Sequence, residues 1–253
     1  MENFGKKKKE YVYVKTLAEL VKSDQMSPMM RQYVGIKKYH MDCILFFRVG
    51  DFYEMFFEDA TIGSEVLDIS LTKKDCGFVK KAPLCGVPYH SYEAHAGKLL
   101  RKGYKVAICE QMEPSKKGTD LVRREVVRII TPGTLTEFSM LEDSKNNFLC
   151  IIYKDDEGAG LTFVDISTGD FNVTSLGKDN LIMNIINEIA KFLPAEIIIN
   201  SSEYNNLEFY KEIKGRFLSY VEPYDQSGIS FEKCESLILS KFQKSSLDEI
   251  NIK

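Results

Sequence analysis

The segment that most limits what this chain can become is Cys43-Ile44-Leu45-Phe46-Phe47-Arg48-Val49. It is a short, nearly unbroken apolar run closed by Gly50-Asp51, without the alternation of a half-exposed strand. Such a run suits a strand buried on both faces, which needs cover on each side of its sheet. A layered fold of helices and strands is therefore the starting expectation.

The neighbouring segments fit that expectation. Ser27-Pro28 offers a capping hydroxyl followed by proline at the first helical position, predicting a helix to about His40. A second helix is predicted over roughly Met55 to Leu67, and Thr72 to Lys81 reads as a polar loop or hairpin. Ser91 is placed to cap a helix over Tyr92 to Lys102, which Gly103 ends where a left-handed residue costs least. Tyr104 to Gln111 and Glu125 to Ile130 complete the set as strands around the basic loop Lys116 to Arg124. Residues 27–132 are thus expected to form an α+β unit with a mixed sheet. Residues 1–26 are read as a leader arm with a possible short helix around Thr16 to Lys22.

Thr131-Pro132-Gly133-Thr134 punctuates the chain, and 133–147 reads as a linker. Beyond it, Phe148 to Tyr153, Gly160 to Ile166 and Gly169 to Ser175 are predicted as strands of a hairpin-linked meander. An amphipathic helix over Asn180 to Leu193, strands over Glu196 to Asn200 and Arg216 to Val221, and a closing helix over Phe231 to Phe242 follow. Three strands followed by alternating helix and strand is the order of a ribonuclease-H-like α/β unit, here 148–253.

Composition narrows the function classes. Residues 1–132 carry 23 Lys and Arg against 17 Asp and Glu, whereas 133–253 carry 11 against 20. That imbalance suits a first half facing a polyanion, although a lysine-rich solvated surface gives the same count. No stretch approaches the roughly 18 apolar residues of a membrane span, and Lys6 to Lys9 precede no apolar export core. A soluble, cytoplasmic protein without membrane association is expected. Six cysteines without a C-x-x-C pair and only three histidines argue against structural zinc, and Cys43 and Cys109 sit in apolar runs as reduced core residues would. His90 and His95 are five apart, not the four that puts two imidazoles on one helical face, so no metal site is expected there.

Val49-Gly50-Asp51-Phe52-Tyr53-Glu54-Met55-Phe56 is the most informative stretch for chemistry. In an extended chain Phe52 and Glu54 share one face and Tyr53 takes the other. The ordinary reading is also open: Phe52 as a core aromatic, and Glu54 in the first turn of a helix, where negative charge suits the dipole.

Five segments in order resemble the start of the MutS DNA mismatch-repair family. They are Ser27 to Tyr33, Leu45 to Phe56, Leu67-Asp68-Ile69-Ser70-Leu71-Thr72-Lys73, Cys85-Gly86-Val87-Pro88-Tyr89-His90, and Val127 to Thr134. The resemblance is sharp over 27–136, looser to the end, and largely excludes the first 26 residues. It implies a mismatch-recognition domain followed by a connector domain for allosteric signalling and docking of a MutL-type partner. It also implies that Phe52 stacks on a mispaired base and Glu54 hydrogen-bonds it. An aromatic wedge costs least where pairing is already defective, so the duplex would be read by its deformability. Lys73, Lys74, Tyr89 and His90 become candidate DNA contacts through the same resemblance. Val49 stands where many relatives carry Met, which shortens any groove contact there.

Two alternatives come from other classes. A ribonuclease-H-like unit can host a two-metal nuclease, with Asp165, Asp170 and Asp179 as its acids, but no further acid falls on the same strand edge. A protein-interaction module without DNA binding is the other. The family hydrolyses ATP, yet the Gly-Lys pairs at Gly5, Gly97 and Gly177 are followed by Lys7, Leu99 and Asp179, not by the Ser or Thr of a phosphate-binding loop. The chain is therefore expected to be non-enzymatic as it stands and to carry no cofactor. ATP, magnesium and self-association are expected to belong to downstream domains of a longer protein.

Overall fold

The computed structural model describes residues 26–75, 77, 81–113, 121–136, 146–225, 227 and 229–250. The leader 1–25, with its expected helix, and most of the basic loop and of the linker lie outside the described residues.

Cys43–Val49 is strand β1, and its side chains feed two cores. Ile44 and Phe46 enter one, with Tyr53, Met55, Val87, Leu99, Val106 and Ile108; Cys43, Leu45 and Phe47 enter the other, with Met30, Tyr33, Val34, Phe56 and Ala107. Alternation across a doubly covered strand produces that division. Helix α1 (Pro28–Lys37) covers the second core, and its first turn is capped by Ser27, whose Oγ accepts from the Met30 amide at 3.3 Å. Burial pushes the Cys43 and Cys109 thiols up to about 12, as inert core cysteines require.

Strand β2 (Phe52–Phe56) is followed directly by helix α2 (Phe57–Leu67). The helix predicted from Met55 starts two residues later because 52–56 pairs on both sides, with β1 and with β4 (Ala82–Pro88). The β4 segment was not anticipated as a strand: Pro83, Gly86 and Pro88 all argue locally against one. A three-residue strand β3 (Thr72–Lys74) edges it. A 3₁₀ turn over 89–91 leads into helix α3 (Tyr92–Arg101). Ser91 does not cap that helix, because the turn points its hydroxyl back to the Pro88 carbonyl at 3.4 Å. Gly103 does take a left-handed φ of 82°. Strands β5 (Lys105–Gln111) and β6 (Arg124–Ile130) finish a sheet ordered β3-β4-β2-β1-β5-β6. Only β1 and β5 run parallel, so the sheet is mixed.

The second unit opens with the meander β7 (Phe148–Lys154), β8 (Gly158–Asp165) and β9 (Asp170–Gly177). Helix α4 (Leu181–Phe192), strand β10 (Glu196–Asn200), helices α5 (Ser201–Tyr204) and α6 (Leu207–Arg216), strand β11 (Tyr220–Tyr224) and helix α7 (Phe231–Phe242) follow. The sheet order β11-β10-β7-β8-β9, with β7, β10 and β11 parallel, is ribonuclease-H-like. The strand expected over Arg216 to Val221 begins instead at Tyr220, because α6 runs to Arg216. Asn206 caps that helix, accepting from the Glu208 and Phe209 amides at 3.2 and 3.4 Å. Ile185 and Ile189 of α4, with Phe209 and Ile213 of α6, cover one face of this sheet. No helix among the described residues is long and apolar enough to cross a membrane.

Contacts among the described residues that join the units include an ion pair and a buried hydrogen bond. Lys105 Nζ, at the start of β5, lies 2.6 Å from Asp42 and 2.7 Å from Glu222 on β11. The Gly133 amide donates to the buried Glu196 carboxylate at 2.8 Å.

Candidate nucleic-acid interface

β1 and β2 form a hairpin in which Val49 pairs with Phe52, leaving Gly50 and Asp51 as a two-residue loop. Gly50 has φ of 59° at the first loop position, where a tight hairpin turn of the II′ type demands glycine. The tip is held from three sides. The Tyr89 amide donates to the Asp51 carbonyl at 3.0 Å, and Arg48 Nε to the Gly50 carbonyl at 2.6 Å. Arg124 Nε donates to the Arg48 carbonyl at 2.6 Å. The Arg48 guanidinium lies 3.6 Å from the centre of the Tyr89 ring and reaches Glu110 at 3.3 Å, and Glu110 also accepts from the Tyr53 hydroxyl. Desolvation of Tyr53, with the Glu110 charge beside it, pushes its phenol up and keeps it a donor.

On this fixed hairpin the side chains divide as strand alternation requires. Tyr53 is 2% exposed and packs 5.8 Å from Phe46 and 5.3 Å from Tyr92, whereas Phe52 is 49% exposed and belongs to neither core. Phe52 is therefore not the core aromatic of the ordinary reading, and Glu54 lies within a strand, not in a helix's first turn. Glu54 faces Gly86 across β4, and its oxygens lie 2.8 and 2.5 Å from Lys74 Nζ. Phe52, Glu54, Ser70, Thr72, Leu84 and Gly86 line a shallow groove of about 270 Å³.

The remaining candidates scatter around this centre. Lys74 is on the Glu54 face, but Lys73, one residue earlier on the three-residue β3, points to the other face. Tyr89 and His90 stand in the turn tied to the hairpin tip, with Tyr89 39% exposed. Val49 is partly buried against the second core, so little of its side chain is offered outward. His95 Nδ1 is 2.9 Å from its own helix's Ser91 carbonyl. Arg48, Glu110 and Arg124, which brace the hairpin, were not singled out from the sequence; a lone arginine inside the apolar run 43–49 was the available clue.

Of the three candidate acids of the second unit, Asp165 and Asp170 have carboxylates engaged in local hydrogen bonds, and Asp179 contributes its backbone carbonyl to Asn184 at 3.0 Å. Asp165 accepts from the Asn147, Ser167 and Thr168 amides at 2.9, 2.9 and 3.3 Å and from the Ser167 hydroxyl at 2.6 Å. Burial alone would raise its carboxyl, but these hydrogen bonds outweigh burial and hold it below the usual range. Its role is to shape the β8–β9 turn. Asp170, its cross-strand partner, accepts from Asn146 at 3.1 Å. Among the described residues no group of three or more His, Cys, Asp or Glu is placed to hold a metal ion.

Comparison with known proteins matches this architecture unit by unit. The family profile described as MutS domain I matches residues 27–139, and that described as MutS domain II matches residues 147–253. The chain belongs to the MutS family. The DNA mismatch repair protein MutS of Ruminiclostridium cellulolyticum is 45% identical over 223 residues, 88% of this chain and 26% of that protein. That of Acetivibrio thermocellus is 49% identical over 196 residues, 78% of this chain and 22% of the relative. That of Clostridioides difficile is 53% identical over 181 residues, 72% and 19% respectively. The chain thus spans about a quarter or less of these MutS relatives, covering domains I and II.

Proposed function

We propose that this chain recognises mispaired bases in double-stranded DNA, with domain I as the reader and domain II as the connector that signals onward and docks a MutL-type partner. The observation that carries the reading is a half-exposed Phe52 ring at the end of a braced hairpin, with Glu54 beside it on the same face. The ring enters the minor groove and wedges into a base step, kinking the duplex at a cost of a few kcal/mol that is smallest where pairing has failed. Glu54 accepts a hydrogen bond from the displaced base, a gain that a correctly paired duplex, which offers no such donor, does not supply. Tyr89, His90 and Lys74 contact the flanking backbone in this reading, supported by the tie between the 89–91 turn and the hairpin tip and by Lys74 sharing the Glu54 face; Lys73 and the shortened Val49 contribute less. In the longer protein, ATP and magnesium would act through domains other than these two, and self-association likewise; the setting is the cytoplasm, on nucleoid DNA.

The test is fluorescence anisotropy with two duplexes differing by one G·T mispair. Wild type is expected to prefer the mismatched duplex, and Phe52→Ala to lose that preference. Equal preference in both proteins would remove the wedge role. Binding is also expected to fall steeply with salt, since phosphate contacts supply most of the affinity.

A further inference from the structure

The candidate reading acid already has a partner. Lys74 Nζ holds both Glu54 oxygens, at 2.5 and 2.8 Å, across the intervening strand β4. The reach is not a nearest-neighbour contact. Glu54 pairs with Gly86 and Lys74 with Ala82, four residues along β4, or about 13 Å of strand. Both side chains lean along the diagonal to meet, with the Lys74 ammonium 5.7 Å from the Phe56 ring centre. Gly86 lies directly beside the acid: a Cβ there would stand 3.8 Å from Glu54 Cγ and 3.3 Å from the Tyr53 carbonyl oxygen. Both partners retain contact with solvent, with side chains 30% and 16% exposed for Lys74 and Glu54, so the pair is able to open.

We propose that Lys74 is a positioning residue that holds Glu54 in a neutralised resting state, and that reading a mispaired base requires Glu54 to exchange Lys74 for the base. The inference rests on the reading of Phe52 and Glu54 given above. With the pair closed, the groove face carries no net charge from these two groups, and paired DNA is tolerated during sampling. At a mispair, a base donor competes for the carboxylate and the freed ammonium turns to a phosphate. A paired duplex offers no competing donor, so the pair stays closed. Selectivity is then the base bond less the cost of opening the pair.

The test uses the same two duplexes with wild type, Lys74→Met, Glu54→Gln, the double variant and Phe52→Ala. Lys74→Met is expected to weaken binding to both duplexes, through loss of a cation, yet to raise the mismatch preference about fivefold, because an ion pair of this exposure no longer has to be opened. In the Glu54→Gln background, Lys74→Met should weaken both duplexes equally and leave the preference unchanged. The Lys74 side-chain nitrogen signal in NMR should shift on adding mismatched duplex and stay in place with paired duplex. Preference lost in Phe52→Ala, together with an unchanged or lowered preference in Lys74→Met, would overturn this inference alone and make Lys74 an ordinary backbone contact. Absence of preference in wild type, or its retention in Phe52→Ala, would overturn the underlying reading and the inference with it.

Discussion

Replacing Lys37 by methionine removes the positive half of a buried ion pair that ties α1, β1 and α2 together. Lys37 Nζ donates to Asp59 Oδ1 at 2.9 Å and to the Cys43 carbonyl at 2.5 Å, and the two side chains are 5% and 6% exposed. Without the ammonium, Asp59 keeps only the Leu45 amide at 2.9 Å and the Tyr33 hydroxyl at 3.4 Å. Removing one partner of such a pair costs about 3–5 kcal/mol, a large part of the roughly 5–15 kcal/mol that holds a domain folded. Burial already raises the Asp59 carboxyl above its ordinary value, opposed first by Lys37, so the variant's carboxyl rises further. A raised acid stabilises the fold below its unfolded value and loses that contribution as pH climbs through its folded value; the penalty therefore grows with rising pH and shrinks in acid as Asp59 takes a proton. Urea denaturation at about pH 7.5 and about pH 5 measures both effects. Lys37→Met combined with Asp59→Leu should recover most of the loss, since the desolvation cost leaves with the charges. A loss under about 1 kcal/mol at both pH values would refute the argument that this pair is energetically closed off from water.

Other expectations follow from single contacts. Gly133→Ala would set a Cβ 2.8 Å from Glu196 Cβ and 3.1 Å from Leu149 Cβ, and should cost about 1–3 kcal/mol in thermal unfolding. Lys105→Met removes the cation shared by Asp42 and Glu222; limited proteolysis between the units should quicken while the far-UV circular-dichroism spectrum of the chain stays unchanged. Asp165→Ala leaves the Asn147, Ser167 and Thr168 amides without their acceptor and should cost about 1–3 kcal/mol at neutral pH. Because the Asp165 carboxyl is held below its ordinary value, its contribution is present above the usual carboxylate range and fades as pH falls through the lowered value. Wild type and variant should therefore converge in strong acid.

What could be read from residues alone was set by how local the physics was. The run 43–49 announced a doubly buried strand because its pattern is internal to seven residues, and the division of Phe52 and Glu54 from Tyr53 needed only strand alternation. β4 was not legible: Pro83, Gly86 and Pro88 weigh against a strand, and only the β2 and β3 ladders overrule them. Helix α6 went unread although Asn206, Phe209 and Ile213 carry a cap and a four-residue apolar spacing, because the strand expected at Arg216 claimed its last turn. Parity on β3 would have separated Lys73 from Lys74 had the strand been recognised. The Glu54–Lys74 contact joins residues 20 apart in sequence across a third strand, and nothing in either neighbourhood encodes it.

β1 begins beside Lys105 and ends at the hairpin tip, seven residues or about 20 Å away, paired with β5 over Cys43–Phe47 and with β2 over Phe47–Val49, and packed into a core on each face. Its pairing passes from one neighbour to the other at Phe47, the residue that both ladders share. One continuous strand therefore joins the hairpin tip to the place where Asp42 and Lys105 meet Glu222 of the neighbouring unit.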